Sequence, residues 1–115
     1  MGKTKVFEAL HLRLKDDNLG TRRYYNSAGQ LHRVHGPAVE YLSGERWWYQ
    51  NGNLHRTDGP AVVWSNGTKF WLRNGRLHRT DGPAVEYHTG SNEWWLDGVR
   101  LSKCEFEQAV GTHDD

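Results

Sequence analysis

Short stretches of alternating apolar and polar residues, separated by glycine-containing turns, fill most of the chain between residues 20 and 101. The alternation has the two-residue period of half-buried β-strands, and the stretches are rich in aromatic and β-branched side chains. The three-to-four-residue spacing of apolar positions that is typical of a surface helix fits nowhere in this range. The pattern predicts an all-β fold, an antiparallel meander of short strands.

The meander is built from a unit of 23 residues. The segment Leu54–Val62 recurs without change as Leu77–Val85, and Leu31–Val39 is the same unit with two substitutions. Self-similarity at a fixed period indicates a repeat architecture, in which the terminal units are atypical. We therefore interpret residues 1–115 as one repeat domain. It has an N-terminal arm or strand (1–19), four hairpin repeats (20–98), and a C-terminal cap helix with a tail (99–115).

Two kinds of turn dipeptide alternate along the repeats. Asn51-Gly52, Asn74-Gly75 and Asp97-Gly98 are typical of two-residue type I′ hairpin turns, because both turn positions need a positive φ. Between them lie Ser43-Gly44 and its equivalents in the next two repeats, and Ala28-Gly29 is a weaker version. Two turns per unit predict two strands in every 23 residues.

If each dipeptide is a two-residue turn, the register of the strands follows. Trp48 then lies opposite both Val39 and His55, and Trp47 lies opposite Arg56. The same arithmetic gives, in the other repeats, the pairs Tyr25–His32, Val62–Trp71, Phe70–Arg79 and Val85–Trp94. One face of the sheet should therefore carry an aromatic row in a single phase, formed by Tyr25, Trp48, Trp71 and Trp94.

The two ends of the chain are expected to cover the repeats. Residues 6–14 include a strand-like alternation that would start the sheet. Ser102 and Glu105 form a capping box, and Phe106 and Val110 lie four residues apart on the helix that it would begin. That helix should fold over the last hairpin. Because both sheet faces are partly apolar, we also expect self-association into a homo-oligomer.

Composition narrows the classes of function. Fifteen basic and fourteen acidic residues leave a net charge of +1, and the pI is about 8.0, which argues against general nucleic-acid binding. Apolar runs of at most four residues argue against a membrane span. Cys104 is the lone cysteine, so an internal disulfide and a multi-cysteine zinc site are excluded. A lone cysteine and no basic-then-apolar leader indicate a cytoplasmic protein.

The repeated His-Arg pair gives little support to a metal site or to catalysis. Equivalent histidines in successive units should lie about 10 Å apart, too far for one metal ion, so we expect neither a metal site nor a cofactor. Catalysis needs one asymmetric constellation of nucleophile, base and orienting group. A set of residues that is copied in three equivalent places does not provide one. We therefore expect a protein that is not an enzyme.

A scaffold role accounts for much of the repeated polar sequence. Asp58 directly precedes Gly-Pro, where its carboxylate can hold a turn and pair with Arg56. Arg56 opposite Trp47 would add a cation–π contact of about 0.5–1 kcal/mol. In the first repeat His35 replaces the aspartate, so that copy lacks the ion pair and should be the softer end. One repeat after Asp58 the same roles fall to Asp81, Arg79 and Phe70.

The aromatic-x-x-Asn-Gly turns and the 23-residue period resemble MORN repeats. Leu-His-Arg-Thr-Asp-Gly-Pro-Ala with Trp-Leu-Arg-Asn-Gly is similar to the MORN-variant repeats of small proteins from tailed bacteriophages and large DNA viruses. The closing segment Trp94–Ser102, followed by residues 103–110, extends the resemblance to about residues 20–110. It implies a hairpin scaffold, protein binding and a viral protein in the bacterial host cytoplasm. The His-Arg-x-Asp-Gly-Pro-Ala unit replaces the usual Tyr-x-Gly pattern, which argues against lipid binding.

The function that we predict is non-enzymatic. The chain should bind, and inhibit, a host defence or metabolic protein, or bind a phage protein, through an aromatic and arginine surface. The predicted binding residues are Trp47, Trp48, Phe70, Trp71, Arg56, Arg79, His55 and His78. Two alternatives stay open. One is a sponge for a small nucleotide immune signal, held by tryptophan stacking and arginine–phosphate pairs, and the other is a structural virion component.

Overall fold

The computed structural model describes residues 13–16 and 19–111. In these ranges the chain forms short antiparallel strands and one C-terminal helix, as the alternation predicts. The strands are β1 (Arg13–Asp16), β2 (Arg22–Tyr25), β3 (Val39–Glu40), β4 (Arg46–Trp47), β5 (Tyr49–Gln50), β6 (Asn53–Leu54), β7 (Val62–Val63), β8 (Lys69–Phe70), β9 (Leu72–Arg73), β10 (Arg76–Leu77), β11 (Val85–Glu86), β12 (Asn92–Leu96) and β13 (Val99–Leu101), and the helix is α1 (Lys103–Gly111).

Most strands belong to one antiparallel sheet. Its order is β1-β2-β3-β4-β7-β8-β11-β12-β13, and β5–β6 and β9–β10 form separate two-stranded hairpins. The expectation of two strands per repeat is wrong in detail, because each long strand is interrupted at Trp48 or at Trp71. β4 pairs in the large sheet, whereas β5, on the other side of Trp48, pairs in its own hairpin. A full repeat therefore contributes four short strands.

The hairpins form a second row that is joined by backbone hydrogen bonds. Arg56 N donates to Leu72 O at 3.2 Å and Gly75 N donates to Leu54 O at 2.8 Å, which connects β6 to β9. The equivalent bonds run from Arg79 N to Trp95 O at 3.2 Å and from Gly98 N to Leu77 O at 2.9 Å. The repeats are thus coupled twice, once through the large sheet and once through the hairpin row.

The core lies where the hairpin row meets the large sheet. Ala61, Val62 and Leu72 are buried, with 0%, 2% and 7% of their surface exposed. Partly buried residues from both layers pack against them: Trp47, Trp64 and Phe70 from the sheet side, and Leu54 and Leu77 from the hairpins. A thin sheet can keep this apolar surface dry only because the hairpins return over it.

The predicted type I′ turns are confirmed. Asn51, Asn74 and Asp97 have φ values of 47°, 50° and 47°, and the glycine that follows each has a φ of 85°, 79° or 80°. Asparagine and aspartate tolerate this left-handed conformation better than other side chains do. The local sequence is therefore sufficient to place these three hairpin tips.

The other turns are one residue longer than predicted. Tyr41 N donates to Glu45 O at 3.0 Å and Gly44 N donates to Tyr41 O at 2.9 Å, so the loop comprises residues 42–44. This is the three-residue loop in which a type I turn is followed by a left-handed glycine, here with a φ of 98°. The next two repeats have the same pair of bonds, from Trp64 and Gly67 and from Tyr87 and Gly90.

The longer loops overturn the predicted register on that side of the repeat. Val39 lies opposite Trp47, not Trp48, and Val62 and Val85 both lie opposite Phe70. Val85 also lies opposite Glu93, not Trp94. Because side chains alternate between faces, a shift of one residue moves the whole set to the other face. The valines therefore share a face with Trp47 and Phe70, and do not flank the predicted row of Tyr25, Trp48, Trp71 and Trp94. Trp48, Trp71 and Trp94 do occupy equivalent positions, each with a cation beside its ring.

The first repeat has a further offset. Ala28-Gly29 also lies in a three-residue loop, since Asn26 N donates to Gln30 O at 2.9 Å and Gly29 N donates to Asn26 O at 3.0 Å. His32 N consequently donates to Tyr24 O at 2.9 Å, as His55 N does to Trp48 O at 3.0 Å. Tyr24 is thus the counterpart of Trp48, and the predicted pair Tyr25–His32 is wrong.

Both ends agree with the expectation where the structure describes them. Arg13–Asp16 pairs with β2 and starts the sheet, while residues 6–12 of the predicted arm lie outside the described residues. At the other end Glu105 N donates to Ser102 Oγ at 3.1 Å and Ser102 N donates to Glu105 Oε1 at 2.8 Å, which is the predicted capping box. Phe106 is 5% exposed, and α1 packs on β12 and β13.

Candidate functional site: arginine stacks and loop clefts

Each of the two inner repeats holds an arginine flat against a tryptophan. Arg56 Cζ lies 3.9 Å from the centre of the Trp48 ring. Its Nε donates to Asp58 Oδ1 at 3.0 Å and its Nη1 donates to Pro60 O at 3.1 Å. The aspartate pair predicted from the sequence is confirmed. The predicted stacking on Trp47 is wrong: Trp47 lies in β4 of the large sheet, and the ring beside the arginine is that of Trp48, where the strand is interrupted.

The next repeat reproduces this arrangement and strengthens it. Arg79 Cζ lies 3.9 Å from the centre of the Trp71 ring, where Phe70 was predicted. Its Nε donates to Asp81 Oδ1 at 2.8 Å and its Nη1 donates to Pro83 O at 3.0 Å. Nη1 also donates to Glu86 Oε2 at 3.2 Å. The hydrogen bond from Arg79 lowers the pKa of the Asp81 carboxyl.

A glycine closes the other side of each guanidinium. A Cβ at Gly59 would lie 2.8 Å from Arg56 Cζ, and one at Gly82 would lie 2.9 Å from Arg79 Cζ. Carbon atoms do not approach so closely without displacement. The Asp-Gly-Pro sequence therefore supplies a carboxylate for Nε, a flat backbone beside the guanidinium and a carbonyl for Nη1.

The first repeat has a weaker version of the same stack. Arg33 Cζ lies 3.9 Å from the centre of the Tyr24 ring, and its Nη1 donates to Pro37 O at 3.3 Å. His35 occupies the aspartate position, and the carboxylate that pairs with the guanidinium is Glu40 at 3.7 Å. The expectation that this copy lacks the Arg–Asp pair is confirmed.

The repeated histidines hold the next hairpin in place. His55 Nδ1 accepts a hydrogen bond from Asn74 N at 3.0 Å, and the same contact joins His32 to Asn51 at 2.9 Å. His78 Nδ1 accepts from Asp97 N at 3.0 Å. Each ring therefore carries its proton on Nε2 and binds the first residue of a type I′ turn 19 residues later. Sequence reasoning missed this role, although the shared 23-residue spacing of histidines and turns was a usable signal.

Trp47 and Phe70 belong to a different group of aromatic residues. Ring centres are 5.9 Å apart between Trp47 and Trp64 and 6.1 Å apart between Trp64 and Phe70, with edge-to-face geometry. Tyr41 extends this row at one end and Tyr87 at the other. Edge-to-face pairs contribute about 0.5–1.5 kcal/mol each beyond burial. Of the eight predicted binding residues, Trp47 and Phe70 therefore belong to the Trp47–Phe70 core row, and Trp48, Trp71, Arg56 and Arg79 form the stacks. His55 and His78 belong to neither group, since they hold the hairpins.

Two equivalent clefts open beside the stacks, between successive Asp-Gly-Pro loops. Cleft A has a volume of about 630 Å³ and cleft B of about 500 Å³. Six lining residues of cleft A are His35, Trp48, Gln50, Arg56, Thr57 and Asp58. Their counterparts 23 residues later line cleft B: Asp58, Trp71, Arg73, Arg79, Thr80 and Asp81. The binding surface suggested by the sequence thus becomes a repeated cleft, which only the fold assembles.

The floor and the rim of each cleft differ in exposure. Trp48 and Trp71 are half-buried, with the stacked arginine over one side of the ring. Thr57 and Thr80 are exposed at the rims, and the side chains of Asp58 and Asp81 are both 83% exposed. Each cleft therefore offers part of an aromatic ring at its floor and polar groups at its edge.

The third equivalent position is closed by the C-terminal helix. Trp94 corresponds to Trp71, and Lys103 Nζ lies 5.9 Å from the centre of its ring in place of an arginine. A separate depression runs between α1 and the last repeat, lined by Thr80, Leu96 and Val110 among others. In the described part of the chain the helix thus lies beside Trp94 in place of a further Asp-Gly-Pro loop.

Two further findings concern metals and membranes. Within residues 13–16 and 19–111, no group of three or more His, Cys, Asp or Glu side chains is placed to hold a metal ion. In the same ranges no helix is long and apolar enough to cross a membrane.

No protein family, curated protein or solved structure was found that matches this chain.

Proposed function

We propose that this chain is a non-enzymatic binding protein that recognises another protein through clefts A and B. The observation that carries the proposal is the duplication of one cleft in two successive repeats, each with a partly accessible tryptophan at its floor. Tryptophan, tyrosine and arginine dominate the binding energy of protein interfaces, above all where they lie in preformed pockets. Two equivalent pockets on one sheet also increase affinity for a partner that fills both.

The stacks make these clefts rigid. Arg56 and Arg79 are each held by an aromatic ring, a carboxylate and a backbone carbonyl. Groups that are already ordered lose little conformational entropy when a partner binds. This supports a binding role for Trp48, Trp71, Arg56 and Arg79 as the pocket walls, while His55 and His78 act by positioning the hairpins.

The identity of the partner is a finer proposal. We propose that it is a protein of a bacterial host or a phage, that binding inhibits it, and that the chain acts in the bacterial cytoplasm. This part rests on the resemblance of the repeats to those of viral proteins. The nucleotide alternative has less support, because the guanidinium groups that would pair with phosphate already bond to Asp58 and Asp81.

The test uses variants that fill the clefts without touching the core. The double variant Thr57→Arg/Thr80→Arg places a long side chain at the exposed rim of each cleft. The control, Thr89→Arg, makes the same change at an exposed position in a turn that lines neither cleft. Tagged wild type and both variants are incubated with bacterial lysate, and bound proteins and small molecules are identified by mass spectrometry.

A stoichiometric protein that is retained by wild type and by Thr89→Arg, and lost from the double variant, supports the proposal. A bound nucleotide with the same dependence points to the sponge. Equal retention of every bound species by all three chains contradicts a role for the clefts.

A further inference from the structure

The spacing of the two clefts restricts the shape of what can fill both. Trp48 directly follows β4 and Trp71 directly follows β8, and in the large sheet only β7 lies between these strands. Two strand spacings are about 9.4–9.8 Å. A linear ligand that occupies clefts A and B must therefore present equivalent groups at about this distance, on one side.

One backbone conformation presents side chains on the same side at this distance. A polyproline II helix has three residues per turn and rises about 3.1 Å per residue, so every third side chain returns to the same side after about 9.3 Å. An extended strand returns to the same side after two residues, about 6.6 Å. An α-helix does so after seven residues, about 10.5 Å, which is longer than two strand spacings.

The chemistry of the clefts agrees with this geometry. Proline rings pack on aromatic floors such as those of Trp48 and Trp71. A polyproline II backbone makes no internal hydrogen bonds, so its carbonyl groups need donors from the protein. The exposed Thr57 and Thr80 hydroxyls at the rims can donate to them.

Charge specifies the residues between the prolines. Arg56, Thr57 and Asp58 line both clefts and form the ridge that the ligand has to cross, and Asp58 is the more exposed of its two charged side chains. This carboxylate is 83% exposed even though one oxygen accepts from Arg56 Nε. A cation between the two prolines would meet it.

We infer that clefts A and B bind a polyproline II segment with a proline at every third residue and a basic residue between the prolines. The inference rests on the proposed function, and it names the partner chemistry of the same clefts. Since the segment is already extended before binding, it loses little conformational entropy when it binds.

The experiment is a calorimetric titration of the full chain with three capped peptides. The first contains four Pro-Arg-Ala triplets, the second has the same composition with the prolines at irregular spacing, and the third contains Pro-Glu-Ala triplets. We expect the first to bind about tenfold more tightly than the second, because the second fills one cleft at a time. The third should bind more weakly than the first, since its glutamates face Asp58.

Single-cleft variants locate the binding. Thr80→Arg should bring the affinity for the Pro-Arg-Ala peptide down to that for the irregular peptide, and Thr89→Arg should leave it unchanged. Equal affinity for the regular and irregular peptides, or no loss in Thr80→Arg, overturns the inference. So does a Pro-Glu-Ala peptide that binds as well as the basic one. If the peptides fail while a lysate protein still depends on Thr57 and Thr80, the proposed function stands without this ligand.

Discussion

The first and third repeats use the same motif but hold it with different strength. In both, an arginine lies 3.9 Å from the centre of an aromatic ring. Arg79 adds carboxylates at 2.8 and 3.2 Å, whereas Arg33 has one carboxylate at 3.7 Å. The hydrogen bond to the proline carbonyl is also shorter in the third repeat, at 3.0 Å from Arg79 compared with 3.3 Å from Arg33. An aspartate before Gly-Pro therefore does more than close a turn, because it also adds a close ion pair to a guanidinium that lies at the same distance from its ring in both repeats.

Removal of the arginine should show the largest difference between these repeats. Arg79→Ala loses the ring contact and two charge-assisted bonds and leaves Pro83 O without its donor, so we expect the free energy of unfolding to fall by about 2–4 kcal/mol. Arg33→Ala should cost about 1–2 kcal/mol, since its contacts are longer. Urea denaturation of both variants measures this, and equal losses would contradict the ranking.

The glycine beside the guanidinium gives a second way to separate the motif from the fold. Gly82→Ala places a Cβ 2.9 Å from Arg79 Cζ and should displace the arginine, at a cost of about 1–2 kcal/mol. In the Arg79→Ala background the same change should cost little, because nothing remains to be displaced. A double-mutant cycle by thermal or urea denaturation measures this coupling. Additive losses would show that Gly82 acts through the backbone alone.

A reciprocal exchange tests whether one residue sets the strength of the stack. His35→Asp should give Arg33 the carboxylate that Arg56 and Arg79 have, and raise the free energy of unfolding by about 0.2–1 kcal/mol. Asp58→His should lower it by a similar amount. Melting temperatures of the two single variants give the result, and a destabilised His35→Asp would mean that Glu40 already satisfies Arg33.

The smallest expected effect is on the stability of the fold at acidic pH. The hydrogen bond from Arg79 lowers the pKa of Asp81 below its ordinary value of 3.8, so the folded state favours the ionised form. This contribution to stability is complete above about pH 4 and is lost as the pH falls through the lower folded-state pKa. Asp81→Asn should therefore have a flatter dependence of stability on pH below about 4 than wild type. Parallel curves for the two chains would contradict an ionised pair.

Much of the local structure could be predicted because it depends on few neighbouring residues. The Asn-Gly and Asp-Gly tips need only a positive φ at two positions, and the capping box needs two side chains three residues apart. The pairing of Asp58 with Arg56 is also local, since both lie in one short loop. Each of these follows from residues that are close in the chain.

The register could not be predicted in the same way. A glycine with positive φ ends a two-residue turn as well as a three-residue loop, so Ser43-Gly44 fits both. The difference of one residue decides whether Val39 lies opposite Trp47 or Trp48, and hence which aromatic residues share a face with the buried valines. The predicted site residues were therefore assigned to one surface, whereas the structure divides their aromatic rings between two.

The sequence by itself determined the 23-residue period, the all-β class, the hairpin tips and the capped helix, because repeated local preferences add up to the same result in every unit. Only the tertiary structure decided that the strands of the two inner repeats are interrupted at Trp48 and Trp71, that the hairpins return as a second row, and that clefts A and B lie between successive loops. The physical reason is burial: the hairpins must cover the apolar face of the large sheet, and that requirement depends on residues far apart in the chain.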